Sequence, residues 1–278
     1  MADALRPSVE QALDAWAARV RANREQVDQH REAEAGRDFY APVASLFRAD
    51  PRRTDDPVLD LLHSLVSAHD TLLDIGAGGG RFALPLALAA REVIAVDPSP
   101  GMLSILREGL SEHGVVNVRC VQGRWPDGAA GLRADLTLIA HVGYDVEAIG
   151  PFLDAMEHAA RRLCVAVLLE GPPPSAADAL WPEIHGVARA SLPALPEFLT
   201  LLLARGRLFE LRLIERAPQR YTDPEQALAW ARQQLWTRPS SAKDERLREL
   251  VQQQLRPADG GYVLPGQPRR VGVVTWSS

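Results

Sequence analysis

Two acids flank a run of bare backbone in this chain. In "TLLDIGAGGGRFALPLA", residues 71–87, Asp74 precedes Gly76, Gly78, Gly79 and Gly80, four glycines within five positions. Asp97 closes "EVIAVD", nineteen residues beyond Gly78. Glycine at this density weakens regular structure, so a ligand is expected to lie directly against the main chain here. The N–H groups of such a turn, opening a helix, hold the polar part of a ligand. A carboxylate in the place of Asp97, ending the next strand, accepts hydrogen bonds from both hydroxyls of a ribose. A nucleoside-containing cofactor is therefore expected.

Two cofactor classes fit these glycines. "GGGRFA" (78–83) satisfies the Gly-x-Gly-x-x-Ala pattern of a nicotinamide dinucleotide site. Asp74 speaks against it, because an anion two residues before the first glycine repels a pyrophosphate and suits a cofactor bearing an ammonium group. The basic residues prune further. Lys243 is the single lysine beside thirty arginines, and Pro239 stands four positions before it, so the Tyr-x-x-x-Lys of a short-chain dehydrogenase is missing. The Gly-Lys of a Walker loop is missing too.

The elements that must position these residues follow from periodicity. Apolar residues at Val9, Leu13, Trp16, Val20 and Val27 give residues 7–34 one helical face. "DPRRTDDPVLDLLHSLV" reads as a polar turn and a helix with Pro57 in its first turn. Short apolar strands are expected at 71–75, 92–97, 116–121, 134–140 and 163–169, with helices at 81–90, 100–113 and 146–161. Continuous apolar strands separated by helices imply a doubly wound parallel sheet covered on both faces. Beyond residue 170 comes a proline-rich, aromatic stretch, then a strand at 207–216, helices at 224–236 and 242–255, and a terminal strand in "RRVGVVTWSS".

"LLDIGAGGGRFALPLA" with "VIAVDPSPGML" resembles the first two motifs of the class I S-adenosylmethionine-dependent methyltransferases, and "ADLTLIAHVGYDVEAIGPFL" resembles their fourth strand and following loop. The resemblance covers residues 55–170, and the tail from 207 fits the sixth and seventh strands. It implies an α/β fold with a doubly wound, seven-stranded, mostly parallel sheet and helical lid segments. The expected division is a helical lid at 1–55, a cofactor-binding core at 56–170, lid and connecting helices at 171–206, and the rest of the core at 207–278 with an inserted helix pair at 223–256.

The cofactor implied is S-adenosyl-L-methionine. Its expected contacts are Asp74 with Gly76, Ala77, Gly78 and Gly80; Asp97 with Pro98; Met102 against the adenosine; Gly123, Arg124 and Trp125 after the third strand; Ala140 at the end of the fourth; and Tyr40, which with Phe39 resembles an aromatic pair placed over the cofactor. Arg124 stands where the family often carries an acid beside the adenine, so Asp127 or Trp125 would have to supply that contact. His141 and Tyr144, in the loop after the fourth strand, are the candidate catalytic residues, as base or substrate-orienting groups. No spacing of histidines, cysteines and acids makes a metal set. His30, His63, His69, His113 and His158 fall on helices or adjoining turns and are expected to meet solvent.

The expected function is methyl transfer to a small organic molecule at O, N or C. Trp16, Trp181, Trp230 and Trp236 would line an apolar lid over it. Alternatives are a non-catalytic, regulatory binder of S-adenosylmethionine with the same fold and a nicotinamide-dependent oxidoreductase. A net charge of −5 argues against a nucleic-acid partner. No run approaches the ~20 apolar residues that cross a membrane. The first residues show no signal-peptide pattern and Cys120 and Cys164 sit in apolar runs, so a cytoplasmic location is expected, with a homodimer left open.

Overall fold

The computed structural model describes residues 7–33, 36, 38–173, 178–266 and 270–278. The first residues of the expected lid, and Pro174 with the three residues after it, lie outside them.

Helix α1 (Val9–His30) starts where Ser8 caps it: the Gln11 N–H donates to Ser8 Oγ at 3.1 Å and the Gln11 side chain accepts from the Ser8 N–H at 2.9 Å. A 3-10 turn (Ala41–Phe47) leads to α2 (Pro57–Leu65), whose cap is Asp56 and whose first turn is set by Pro57. The alternation then runs β1 (Thr71–Ile75), α3 (Ala83–Ala87), β2 (Glu92–Asp97), α4 (Pro100–His113), β3 (Val118–Gln122), β4 (Ala134–Ala140), α5 (Ile149–Ala159) and β5 (Ala160–Leu169). The second half adds α6 (Trp181–His185), α7 (Leu195–Ala204), β6 (Phe209–Glu215), α8 (Pro224–Gln234), α9 (Ala242–Gln254), a short hairpin β7 (Arg256–Ala258) and β8 (Gly261–Val263), and β9 (Arg270–Ser277).

Seven strands form one sheet in the order β3-β2-β1-β4-β5-β9-β6. Strands β1 to β5 run parallel, and β9 is antiparallel to both β5 and β6. The order reverses between β1 and β4, which opens a crevice at their carboxyl ends. Strand β1 is buried at every position, as a strand covered on both faces must be.

Two hydrophobic cores result. The larger fills both faces of the sheet, and Trp16 belongs to it: its ring packs on Phe198 and its Nε1–H donates to the Val146 carbonyl at 2.9 Å. Trp16 is therefore part of a layer over the sheet, not of a lid. The smaller core joins Val27, Trp181, Tyr221, Leu228, Leu235, Leu247 and Leu250 into a cap. Residues 171–206, read above as one connecting segment, divide between the two: α6 packs in the cap, α7 on the sheet. His30, expected at solvent, packs edge-on against Trp181 and His185 instead. No helix among the described residues is long and apolar enough to cross a membrane.

Candidate functional site

Gly76, Gly78 and Gly80 all take positive φ, +75°, +54° and +89°, which L-residues rarely adopt. The turn they make is stitched to the end of β2: the Gly76 and Ala77 N–H groups donate to the Val96 carbonyl at 2.7 and 3.0 Å. The Asp97 carboxylate accepts from the Gly78 N–H at 2.9 Å and the Ser99 N–H at 2.8 Å, while the Asp97 carbonyl accepts from Gly123 N–H at 3.1 Å. Asp97 thus joins the loops after β1, β2 and β3, and each carboxylate oxygen keeps a lone pair for a ligand hydroxyl. Burial pushes its pKa up, partly offset by the two N–H groups.

Asp74 is different. It lies within β1, 2 % exposed, and no hydrogen bond to its carboxylate is found among the described residues. Burial, with Asp97 nearby, pushes its pKa up to about 7. A buried carboxylate without a donor is costly, and a cationic ligand group would relieve it. This orphaned acid, next to bare backbone, fits an ammonium-bearing cofactor and does not fit a pyrophosphate.

The segment before α2 closes over the loop. A Cβ on Gly79 would lie 2.6 Å from the Phe47 carbonyl oxygen, so the 3-10 turn touches the glycine backbone. Asp38 latches this segment: it accepts from Ser99 Oγ–H at 2.8 Å and from the Gly101 N–H at 2.9 Å. Phe39 packs on Trp236 and its carbonyl accepts from Gln233 Nε2, which ties the segment to the cap. Tyr40 sits edge-on to Phe47, and burial with Asp145 and Asp97 pushes its pKa up to about 12. Burial shifts the proton affinity of Tyr40, Arg81 and His141, yet each keeps water-accessible surface. A separate cavity of about 230 Å³ lies behind the loop, between α4 and Arg48–Asp50, and holds none of the acids or aromatics discussed here.

The other expected residues are placed as follows. Met102 is buried beneath the loop, its Cε 3.8 Å from where a Gly78 Cβ would stand. Pro98 is exposed beside Asp97, and Ala140 is half-buried at the end of β4. Arg124 is exposed and its carbonyl accepts from the Gly128 N–H at 2.7 Å. Trp125 packs on the main core and donates its Nε1–H to the Phe152 carbonyl of α5 at 3.2 Å, so its indole N–H is committed to that helix. His141 takes φ +59° and donates its N–H to the Val167 carbonyl at 2.8 Å. Burial, then Arg216 and Arg81, push its imidazole down to about 3. Tyr144 Oη accepts from the Leu169 N–H at 2.7 Å and lies 3.5 Å from His141 Nδ1, and burial pushes its pKa up. Neither group is a ready proton acceptor at neutral pH. Sequence reasoning missed Asp38, Ser99, Arg81 and Arg216. Ser99 carried a signal, being the cap before Pro100, whereas Asp38 and Arg216 act over distances that no local pattern records.

Residues 72–163 match a family model described as a methyltransferase domain. These residues form a methyltransferase domain. The chain is 39 % identical over 83 residues to a ubiquinone biosynthesis O-methyltransferase of Azorhizobium caulinodans, covering 30 % of this chain and 32 % of that one. It is 30 % identical over 70 residues to a probable ribosomal RNA small subunit methyltransferase A of Methanosphaera stadtmanae, covering 24 % of this chain and 26 % of the other. The chain thus spans about a third or less of these curated relatives. The YcgJ protein of Bacillus subtilis superposes with a TM-score of 0.53 at 16 % identity, over 78 % of this chain and 96 % of that one, a likeness of fold alone.

Proposed function

We propose that this protein transfers a methyl group from S-adenosyl-L-methionine to a small organic acceptor. The observation that carries the reading is the pair of buried acids around the glycine turn: Asp74 has no donor and suits the amino-acid end of the cofactor, and Asp97 has spare acceptor capacity for a ribose. When bound, the cofactor supplies an electrophilic methyl group on a sulfonium with a neutral thioether as leaving group. The protein's share is to align an acceptor behind that methyl group and exclude water. The latched segment around Tyr40 lies against the glycine turn and is tied to the cap, which supports an acceptor of limited size over a macromolecule. The acidic chain supports the same choice.

His141 and Tyr144 are read as orienting groups. An imidazole held neutral down to about pH 3 accepts a hydrogen bond well but a proton poorly. An acceptor that is already ionised, or a nitrogen with a free lone pair, needs no stronger base.

The test is calorimetry with S-adenosylhomocysteine, followed by turnover of labelled S-adenosylmethionine against a panel of small phenols, acids and amines. Micromolar binding, about 8 kcal/mol, is expected for the product. NADH binding in its place would overturn the assignment, and binding without any methyl transfer would favour a regulatory binder.

A further inference from the structure

An unbalanced cluster of arginines lies at the carboxyl edge of the sheet. Arg53 Nη2 lies 3.0 Å and Arg81 Nη2 3.5 Å from the same Asp56 oxygen, and both guanidiniums face the buried Phe82 ring, 5.8 and 5.5 Å from its centroid. Asp56 is already engaged as the cap of α2, accepting from the Leu59 N–H at 3.3 Å. Strand β6 runs parallel to β1–β5, so Arg216, the residue after it, emerges at this same edge. There its charge acts on Arg81, His141, Tyr144 and Tyr221, and Arg216 is in no ion pair among the described residues. Glu170, which leaves β5 nearby, is bound by Arg270 at 2.5 and 3.0 Å. Three arginines therefore share one carboxylate. His141 adds no charge. Tyr221, 1 % exposed and acted on by the Arg216 charge, has a hydroxyl with no hydrogen-bond partner among the described residues.

Like charges gathered in a partly enclosed site repel each other unless an anion joins them. Planar guanidiniums match a carboxylate or phosphate by paired N–H donors, and a buried hydroxyl without a partner supplies a further donor. The neighbours of the cluster are His141, in the loop after β4, and Arg81, directly after the glycine turn, so the anion would sit beside the reacting end of the crevice.

We infer that the methyl acceptor is an anionic small molecule whose carboxylate or phosphate is held between Arg81 and Arg216, with Tyr221 donating to it. This rests on the proposed function, since it assigns the acceptor side of that same crevice. The cluster is a specificity site: it selects an acid over its neutral counterpart and fixes which end of the acceptor faces the cofactor.

The test is binding of benzoate and phenyl phosphate, against neutral benzamide, to the full chain with and without saturating S-adenosylhomocysteine. Both anions are expected to bind the loaded protein and benzamide at least tenfold more weakly, with the stronger anion marking the headgroup. Arg216→Gln should weaken anion binding at least tenfold while the affinity for S-adenosylhomocysteine stays within twofold. Arg216→Lys, which keeps the charge and guards against a folding defect, should recover part of the binding. Anions that compete with S-adenosylhomocysteine, or a parallel loss of its affinity in Arg216→Gln, would assign the cluster to the cofactor's own carboxylate and overturn the inference. Equal binding of benzamide, or preferential binding of an RNA oligomer, would overturn it as well. If S-adenosylhomocysteine fails to bind the unmodified protein, the methyltransferase reading falls, whereas anion binding without it is still read directly.

Discussion

Replacing Asp74 by Asn separates the cost of the buried acid from its use. The pKa of Asp74 is raised from 3.8 to about 7, so the folded state binds a proton that the unfolded state has released across that interval. Stability contributed by this group is intact below pH 4, falls as pH rises from 4 to 7, and stays lost above it. Three pH units correspond to at most about 4 kcal/mol, and relaxation around the site lowers the real figure. Asn keeps the shape and drops the charge. The ligand-free Asp74→Asn protein should therefore unfold at the same temperature as the parent at pH 4, and several degrees higher at pH 8, at roughly 2–4 °C per kcal/mol for a chain of this size. S-adenosylhomocysteine should reverse the ranking. In the parent, an ammonium beside the carboxylate favours ionisation, so affinity climbs from pH 6 to pH 8, and in the variant it falls at least tenfold and loses that slope. Scanning calorimetry at four pH values, with and without ligand, reads both effects. A variant less stable than the parent at pH 8, or one that binds S-adenosylhomocysteine equally well, would refute the reasoning.

Other outcomes follow from the same geometry. Asp97→Ala removes an acceptor from two backbone N–H groups and should cost about 1–3 kcal/mol in stability, together with at least tenfold in S-adenosylhomocysteine affinity by calorimetry. His141→Gln should lower turnover less than tenfold and leave the pH–rate profile unchanged in shape between pH 5 and 8, because the imidazole is already neutral there; loss of an ascending limb in the variant would make His141 a titrating base. Gly80→Ala should lower the melting temperature, since the new Cβ lies 2.5 Å from Leu106 Cδ1 at a φ of +89°, whereas Gly171→Ala, where a Cβ meets nothing within 4 Å, should leave it within a degree.

The sheet was legible because its evidence is local. "TLLDI" and "ADLTLIA" are strands covered on both faces and read as largely apolar runs, and Asp97, closing "EVIAVD", marks the carboxyl edge. Boundaries slipped where no residue punctuates them: β5 begins at Ala160, directly after α5, three residues before the expected start. The β7–β8 hairpin escaped notice although Asp259-Gly260-Gly261 is a turn signal, because its strands are only three residues long. Of the site, the glycines and two acids were visible through their spacing. The Asp38 latch and the meeting of Arg81 with Arg216 were not, since Asp38 meets Ser99 across 61 positions and Arg216 reaches His141 only through the strand order. The tryptophans misled for a related reason: an amphipathic helix shows which face is buried, never against what.

Helix α1 takes part in both cores, with Trp16 and Val20 on the sheet side and Val27 in the cap. A helix without a break behaves as a rod, and eleven residues from Trp16 to Val27 span about 16 Å. The cap therefore cannot lift as a free flap. Any opening that admits an acceptor must tilt this rod or peel Val27 and His30 away from Trp181, and tilting would disturb the hydrogen bond from Trp16 to Val146. The indole of Trp16, buried and bonded to the loop after β4, becomes a built-in gauge of whether the crevice is open.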